Sequence, residues 1–486
     1  MALNVIFATP EAFPFAKTGG LGDVAGALPL ALKRLGCKVS LFLPYYREVL
    51  LSRARTEPAG IEVSVPMAGR DLSGQVLKTS IDGLAVYFIK RDEFFDRSCL
   101  YGTPEGDYFD NLERFVFFSR AVLEAVKAKD LKPDIIHCND WQTGLIPVYL
   151  KDACEDDPFF SKTATVFTIH NIAYQGLFPS SIYGITGLSP ELYNPEGLEF
   201  WGKLSLLKAG IVYSDIITTV SPAYSREIQT PEYGSGLDGL LKNRKEDLFG
   251  VLNGVDYGVW DPLIDRLIPS NYSAADLSGK AVCKKELLKN INFELGDERP
   301  LIGMISRLVD QKGFDILFEA MPELMKLEAG FVFLGSGESK YQKRLEDLGR
   351  RYPEKVSVHI GFDDRLSHMI EAGCDMILMP SRYEPCGLNQ IYSLKYGTIP
   401  VVRATGGLDD TVIDYNGKNG NGFKFREYSP KALTNCVRQA LLAWKDAKAW
   451  RKLQQRAMKA NFSWESSARK YMDLYALARK KLSRPE

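Results

Sequence analysis

The sequence predicts an α/β protein made of two doubly wound domains with parallel sheets, and three observations predict it. The first is length: 486 residues, 45% hydrophobic and 25% charged, exceed what one core encloses, because such cores stop growing at roughly 250–300 residues. The second is order. Short β-rich apolar runs alternate with amphipathic helical stretches, as in chains of βαβ units. The third is that this alternation runs through twice, with a turn-rich interruption between the two series.

In the first series a strand over 4–8 is followed by a loop, a helix over 24–35 and a strand over 39–43. Further strands are expected over 61–65, 85–89, 135–138, 165–169 and 216–220, and the first sheet ends near Leu252. Asn253-Gly-Val-Asp256 is a turn signal, and Pro262, Pro269 and Asn271 follow in an irregular stretch. The domain boundary is therefore placed here, giving domains over 1–253 and 254–465. The second series has strands over 301–306, 331–334, 356–360, 376–379 and 400–402. A last helix over 466–482 carries apolar or aromatic residues at 468, 471, 472, 475 and 478. It needs an apolar surface, which the first domain is expected to supply.

Composition excludes several classes of partner. Lys plus Arg and Asp plus Glu both total 61, so no basic field draws in nucleic acid or an anionic membrane. The eight cysteines lack a CxxC pair or a Cys/His cluster of metal-ligand spacing. They are expected to be buried thiols in a reducing compartment. The N-terminus runs into a strand without a basic leader, and no apolar run approaches bilayer length. A cytoplasmic protein without a membrane partner is expected.

After the first strand comes Lys17-Thr-Gly-Gly-Leu-Gly-Asp23, leading into a helix. Clustered glycines let backbone approach a ligand, and a helix N-terminus offers unpaired N–H groups. Read as GxGxxG/A, Gly20-Leu-Gly-Asp-Val-Ala25 suggests a dinucleotide. Three features oppose this: the glycines lie more than ten residues beyond the strand, Asp23 would set a carboxylate where pyrophosphate sits, and no Asp or Glu follows the strand at 39–43 to hold a ribose. A Walker A loop fails for want of Gly-Lys-Ser/Thr. What remains is a loop with a cation, exposed amides and a carboxylate suited to a sugar hydroxyl. An ordinary capped helix start is the competing explanation.

In the second series the strand at 301–306 ends at Arg307, and Lys312-Gly313 precede a helix starting near Phe314. Two cations after a strand can neutralise a departing diphosphate without a metal, Arg as a planar fork and Lys as a point charge. A solvated loop with two surface charges would look the same in isolation. The strand at 376–379 runs into Pro380-Ser-Arg-Tyr-Glu-Pro-Cys-Gly-Leu-Asn-Gln390. There Glu384 can accept from sugar hydroxyls, and the helix opening at Gly387-Leu388 aims amides at a phosphate. Gly335-Ser-Gly-Glu338, Gly361-Phe-Asp363 and Thr405-Gly-Gly407 close three more strands on the same edge. Phe362 can stack on a base, although aromatics at strand ends are more often core. In the first series His137-Cys-Asn-Asp-Trp141 and His170-Asn171 follow two strands. Two of the chain's four histidines at strand ends favour a substrate role over a structural one.

Taken together, Lys17-Thr-Gly-Gly-Leu-Gly-Asp23, His170-Asn171, Asn253-Gly-Val-Asp256, Ser306-Arg-Leu with Lys312-Gly313, Glu384-Pro-Cys-Gly-Leu and Thr405-Gly-Gly-Leu408 resemble the bacterial glycogen synthase and plant starch synthase family. The resemblance runs over essentially the whole chain. It implies a GT-B type glycosyltransferase, with two facing Rossmann-like domains and an active-site cleft between them, the first domain on the acceptor side and the second binding the donor. It implies transfer of glucose from ADP-glucose to the non-reducing end of an α-1,4-glucan, glycogen or a maltooligosaccharide, with retention and with no metal or other cofactor.

Carried over by the resemblance, Arg307 and Lys312 hold the diphosphate, and Glu384 and His170 meet the transferred glucose. These four are the expected catalytic residues. Substrate-binding roles fall on Lys17, Gly20, Asp23, Tyr101, Asp140, Asn171, Asn253, Gly361, Phe362, Cys386, Gly387 and Leu388. Lys17 is expected to reach toward the donor. Some synthases of this architecture carry two glutamates separated by seven residues. Here the second position is Tyr392, and Asn389 stands where some relatives have threonine.

Retention through double displacement would need a nucleophile opposite the leaving group. Asp140 and Glu384 are the nearest candidates, and neither is expected to attack. Instead Arg307 and Lys312 stabilise the leaving ADP while the acceptor hydroxyl enters from the same face. Alternatives are a UDP-glucose donor or another acceptor, a nicotinamide-dependent oxidoreductase, and a non-catalytic glucan-binding protein.

Overall fold

A computed structural model describes residues 2–52, 54–103, 105–296 and 298–482. The chain divides into two compact units: the first holds the chain up to Val220, residues Ser225–Gly254 and the chain from Trp464, and the second holds Ser221–Tyr224 and Val255–Ser463. Gly254 packs directly on the Trp464 backbone, and the Val255 N–H donates to the Phe462 carbonyl.

The strands of the first unit are β1 (Asn4–Ala8), β2 (Lys38–Pro44), β3 (Glu57–Met67), β4 (Arg70–Ile81), β5 (Leu84–Lys90), the short pair β6 (Gly102–Thr103) and β7 (Gly106–Asp107), β8 (Ile135–Asn139), β9 (Ala164–Ile169), the small strands β10 (Leu177–Pro179), β11 (Glu199–Phe200) and β12 (Lys203–Ser205), then β13 (Ile216–Thr219) and β14 (Leu248–Gly250). Nine of them form one sheet in the order β14-β13-β9-β8-β1-β2-β5-β4-β3. Pairing is parallel from β14 to β5. It is antiparallel from β5 through β4 to β3, which corrects the expectation of a parallel sheet throughout. The cause is local: Ala68 and Gly69, both at positive φ, make a two-residue turn whose twist matches a hairpin.

β1, β8 and β9 are buried almost end to end, as strands covered by helices on both faces must be. The helix Gly20–Arg34 starts four residues earlier than expected. Gly20, Gly22 and Asp23 therefore belong to its first turn and not to a loop. The start is fixed by close packing: the Phe13 N–H donates to the Gly22 carbonyl, and a Cβ on Gly26 would lie 2.5 Å from the Phe13 carbonyl oxygen. The last helix, Trp464–Leu482, buries Ala468, Tyr471, Tyr475 and Ala478 and packs on Gly20–Arg34.

The second unit has β15 (Leu301–Ile305), β16 (Gly330–Gly335), β17 (Val356–Ile360), β18 (Met376–Met379), β19 (Ile399–Arg403) and β20 (Phe423–Phe425). They form one parallel sheet in the order β17-β16-β15-β18-β19-β20. β20, three residues long, has no sequence signal of its own. In each unit the winding reverses beside the first strand, between β1 and β8 in one and between β15 and β18 in the other. Ligands of open α/β sheets bind outside the carboxyl ends at such reversals. Six of the eight cysteines are buried, while Cys99 is exposed and Cys154 half-buried, which departs from the expectation for those two. Among the described residues no helix is long and apolar enough to cross a membrane.

Candidate active site

At the reversal between β15 and β18 a pocket is lined by Ser306, Arg307, Lys312, Glu384, Gly387 and Asn389, with Met304, Leu378 and Met379 beneath. Lys312 Nζ lies 2.6 Å from Glu384 Oε2, and the Ser381 hydroxyl donates to the same oxygen at 3.1 Å. Both charges are nearly buried, with side chains 15% and 7% exposed. Desolvated charges persist only when paired, so each fixes the other. Arg307 is exposed and makes no ion pair with a described residue. Ser306 Oγ is buried and unpartnered among the described residues.

Glycines of this unit hold the site by close approach. Gly313 sits at φ +76, and a Cβ there would lie 2.1 Å from the Pro380 carbonyl oxygen. The Lys312 loop is thereby pressed onto the end of β18, where the Arg382 N–H donates to the Gln311 carbonyl. Gly406 and Gly407 lie beneath the Glu384–Cys386 turn, each with a virtual Cβ 1.9 Å from a carbonyl oxygen of that turn. A virtual Cβ on Gly335 meets the Ser306 carbonyl oxygen equally closely. These glycine runs are packing devices, not open ligand loops. Asn389 is committed as well, its amide donating to the Ile305 carbonyl at 2.7 Å. Phe362 is 89% exposed, so it is not core. Gly361, at φ +140, has open space around it. Cys386 is buried, and Gly387 and Leu388 precede the helix Asn389–Tyr396. Tyr392, at the position of the second glutamate, stacks on Trp260 at 4.0 Å.

The reversal in the first unit has different chemistry. Glu11, just past β1, accepts from the Thr18 and Gly19 N–H groups at 2.7 and 3.2 Å and from the Thr18 and Tyr101 hydroxyls at 2.6 and 2.7 Å. It pins the glycine loop, yet the sequence reading missed it, because one acid in an apolar stretch signals little. Tyr101 thus holds Glu11 with its hydroxyl. Lys17 Nζ pairs with Asp23 at 2.7 Å, so in this state Asp23 is bound to its own loop. Burial lifts the Asp23 carboxyl above its usual range and Lys17 pulls it partly back.

Asp140, past β8, accepts from the His170 N–H at 2.7 Å. Burial raises its carboxyl to about 7, against the pull of the His170 and Asn171 amides. His170 Nε2 lies 2.9 Å from Asn139 Oδ1, and Asn139 is oriented by donating its amide to the Ala8 carbonyl. Nε2 therefore carries the hydrogen, and Nδ1 is the acceptor of a neutral ring. Burial lowers the pKa of this ring to about 3, so it stays neutral near pH 7. The Asn171 carboxamide is engaged in a turn, accepting from the Ala173 N–H, and Asn253 is buried at the end of the first unit. The substrate role read for His137 is overturned. Its ring is fully buried within the sheet, with Tyr475 and Thr168 hydroxyls at 2.7 and 2.6 Å, so it fastens the last helix.

Residues 4–243 match the family described as starch synthase catalytic domain, and residues 289–457 match glycosyl transferases group 1. A glycogen synthase of Geotalea daltonii is 47% identical over 484 residues, covering 99% of this chain and 100% of the relative. The chain belongs to the glycogen synthase family. It is a glycosyltransferase of the GT-B fold. A second glycogen synthase, from Syntrophotalea carbinolica, is 46% identical over 98% of this chain and 99% of its own. The catalytic domain of starch synthase IV from Arabidopsis thaliana, solved bound to ADP and acarbose, superposes with a TM-score of 0.91 at 34% identity, covering 99% of this chain and 100% of that one.

In this glycogen synthase family member a groove of about 580 Å³ also opens in the first unit, lined by Tyr108, Trp141, Tyr174, Gln175, Phe178 and Phe200 among others. Gly176, at φ +59, lies on the Trp141 indole face, where a Cβ would come within 2.5 Å of the ring. Gln175 is buried, donates its amide to the Ser235 carbonyl and leaves Oε1 unpartnered among the described residues. Sequence reading named Trp141 only in passing and the other aromatics not at all. They come from separate stretches of the chain, Phe178 on β10 and Phe200 on β11, and share no motif. Among the described residues no three His, Cys, Asp or Glu side chains are grouped to hold a metal ion.

Proposed function

We propose that the enzyme transfers glucose from ADP-glucose to the non-reducing end of an α-1,4-glucan, with retention and release of ADP, in the cytoplasm. The observation that carries the reading is the buried Lys312–Glu384 pair beside Arg307 at the β15/β18 reversal. It supplies two cations for a diphosphate and a carboxylate for sugar hydroxyls in one pocket. The exposed Phe362 ring offers a face to the base, and the Ser306 hydroxyl a polar partner to the donor. That a 34% identical starch synthase binds ADP and acarbose supports the same ligand classes here.

In this mechanism Arg307 and Lys312 stabilise the charge that develops on the departing diphosphate, without a metal. The acceptor hydroxyl attacks from the face that ADP leaves and passes its proton to the leaving phosphate. Neither carboxylate is placed as a nucleophile: Glu384 is held by Lys312 and Ser381, and Asp140 is committed to backbone N–H groups. Neutral His170 presents Nδ1 to a glucose hydroxyl. Lys17, Gly20 and Asp23 serve the donor, which requires the Lys17–Asp23 pair to open. The glucan lies in the aromatic groove, where rings meet the apolar faces of sugars and Gln175 Oε1 accepts from a hydroxyl.

The test compares transfer of label from ADP-[¹⁴C]glucose and UDP-[¹⁴C]glucose to glycogen. Label enters glycogen from the ADP sugar at a rate well above that from the UDP sugar. Equal or reversed preference would overturn the donor assignment, and binding without transfer would overturn the reaction.

A further inference from the structure

Trp201 stands outside every role assigned above. It is 83% exposed and sits at φ +52, followed by Gly202 at φ +77. The two residues form the turn between β11 and β12, whose register pairs Phe200 with Lys203. Such two-residue turns favour Asn, Asp or Gly at both positions, and a bulky side chain at positive φ is strained. The turn is also fastened, with the Gly202 N–H donating to Glu199 Oε1 at 2.5 Å. A strained, fastened tryptophan projecting into solvent is not a scattered surface apolar residue of the ordinary kind.

Its neighbours say what it extends. The Trp201 ring meets Phe200 edge to face, centroids 6.3 Å apart, and Phe200 lines the aromatic groove together with Ser235. Gly236, at φ +82, faces both rings, and a Cβ there would lie 3.0 Å from Phe200 and 3.4 Å from Trp201 Nε1. With a side chain at 236 this approach would be blocked. The indole is thus one ring beyond the wall of the groove, continuous with it through Phe200.

We infer that Trp201 forms a remote glucan subsite, on which sugar units of a long acceptor stack several residues away from the reacting end. The inference rests on the acceptor role proposed for the groove. Short acceptors end before Trp201, so it contributes to long chains alone.

The experiment uses Trp201→Asn, which suits positive φ and keeps the turn, and Trp201→Tyr, which keeps an aromatic face. Initial rates are measured on maltotriose, maltoheptaose and glycogen, and maltoheptaose binding is measured by calorimetry without donor. Trp201→Asn raises KM for maltoheptaose and glycogen, and Kd for maltoheptaose, by about three- to tenfold, the size of one aromatic contact. KM for maltotriose and for ADP-glucose stays within about twofold, and Trp201→Tyr recovers most of the loss. Equal losses on all acceptors would mean a structural role, and no change in KM or Kd would mean no subsite. Either overturns the inference while transfer by the parent enzyme still stands. A parent enzyme that transfers to no glucan fails the proposed function instead, and the calorimetric comparison then decides Trp201 alone.

Discussion

The reversals at β1/β8 and β15/β18 occupy the same place in the same kind of sheet and carry opposite chemistry. The second unit sets Arg307 and Lys312 at its crevice, with one nearly buried ion pair. The first sets there a neutral imidazole and a carboxyl that burial lifts to about 7, and Lys17, past β1, is tied to Asp23. A diphosphate needs fixed positive charge, whereas sugar hydroxyls need acceptors and donors without strong charge. The fold fixes where a ligand binds, and the residues past each strand decide which ligand.

Two glycines past strands differ as sharply, Gly406 closely packed and Gly20 open, and the largest predicted effect exploits this. Gly406 has φ +45 and no room, since a Cβ would lie 1.9 Å from the Glu384 carbonyl oxygen. Backbone cannot yield as a flexible side chain does. Gly406→Ala is expected to cost at least about 3 kcal/mol of stability and to abolish measurable transfer, read by urea unfolding and the label assay. A variant as stable as the parent would break the claim that these glycines are packing devices.

Acid sensitivity sharpens the comparison next. Burial lowers His137 and His170 to about 3, from 6.5. Between those values the unfolded chain binds more protons than the folded one, so stability is lost as pH falls. Asp140, raised from 3.8 to about 7, works the other way, because the folded state holds its proton and stability is lost as pH rises through that window. Glu371, raised from 4.5 to about 8, works with Asp140, so two carboxyls oppose the two histidines, and each buried histidine by itself accounts for a loss of roughly 1.4 kcal/mol per unit of acidification between about pH 4 and 6. His137→Gln removes one histidine's share, so relative to the parent its stability shifts upward by that amount for each unit of acidification. Urea midpoints measured across this range check both statements, and an unchanged slope in the variant contradicts them.

The smallest effect on stability is expected at Gly20, whose Cβ would meet nothing within 4 Å. Gly20→Ala in the first helical turn keeps the melting temperature or raises stability by up to about 1 kcal/mol. If glycine is needed there for a ligand and not for packing, the same variant raises KM for ADP-glucose. A normal KM would remove Gly20 from the donor site.

Much of this was legible in the sequence because the parallel strands are short unbroken apolar runs: β1, β9, β15 and β18 declare themselves. β4 did not, because Arg70, Asp71, Gln75 and Lys78 interrupt its apolar residues and leave no unbroken apolar run. Arg307, Lys312 and Glu384 were readable as charges after strands. Their partnership was not, since Lys312 and Glu384 are 72 residues apart and meet only because β15 and β18 are neighbours. Glu11 and Gln175 were invisible for the same reason: each acts through partners that only the fold brings to it. His137 misled because a strand terminus and a buried sheet position read alike in sequence.

The most direct test of the central claim is turnover of Lys312→Ala with ADP-glucose and glycogen, alongside its melting temperature and its KM for glycogen. Loss of one preorganised charge at the leaving group predicts kcat lower by at least about a hundredfold. The fold should persist with a lowered melting temperature, because Glu384 loses its buried partner, and KM for glycogen should be little changed. Near-normal turnover in this variant would contradict the assignment of the departing diphosphate to Arg307 and Lys312.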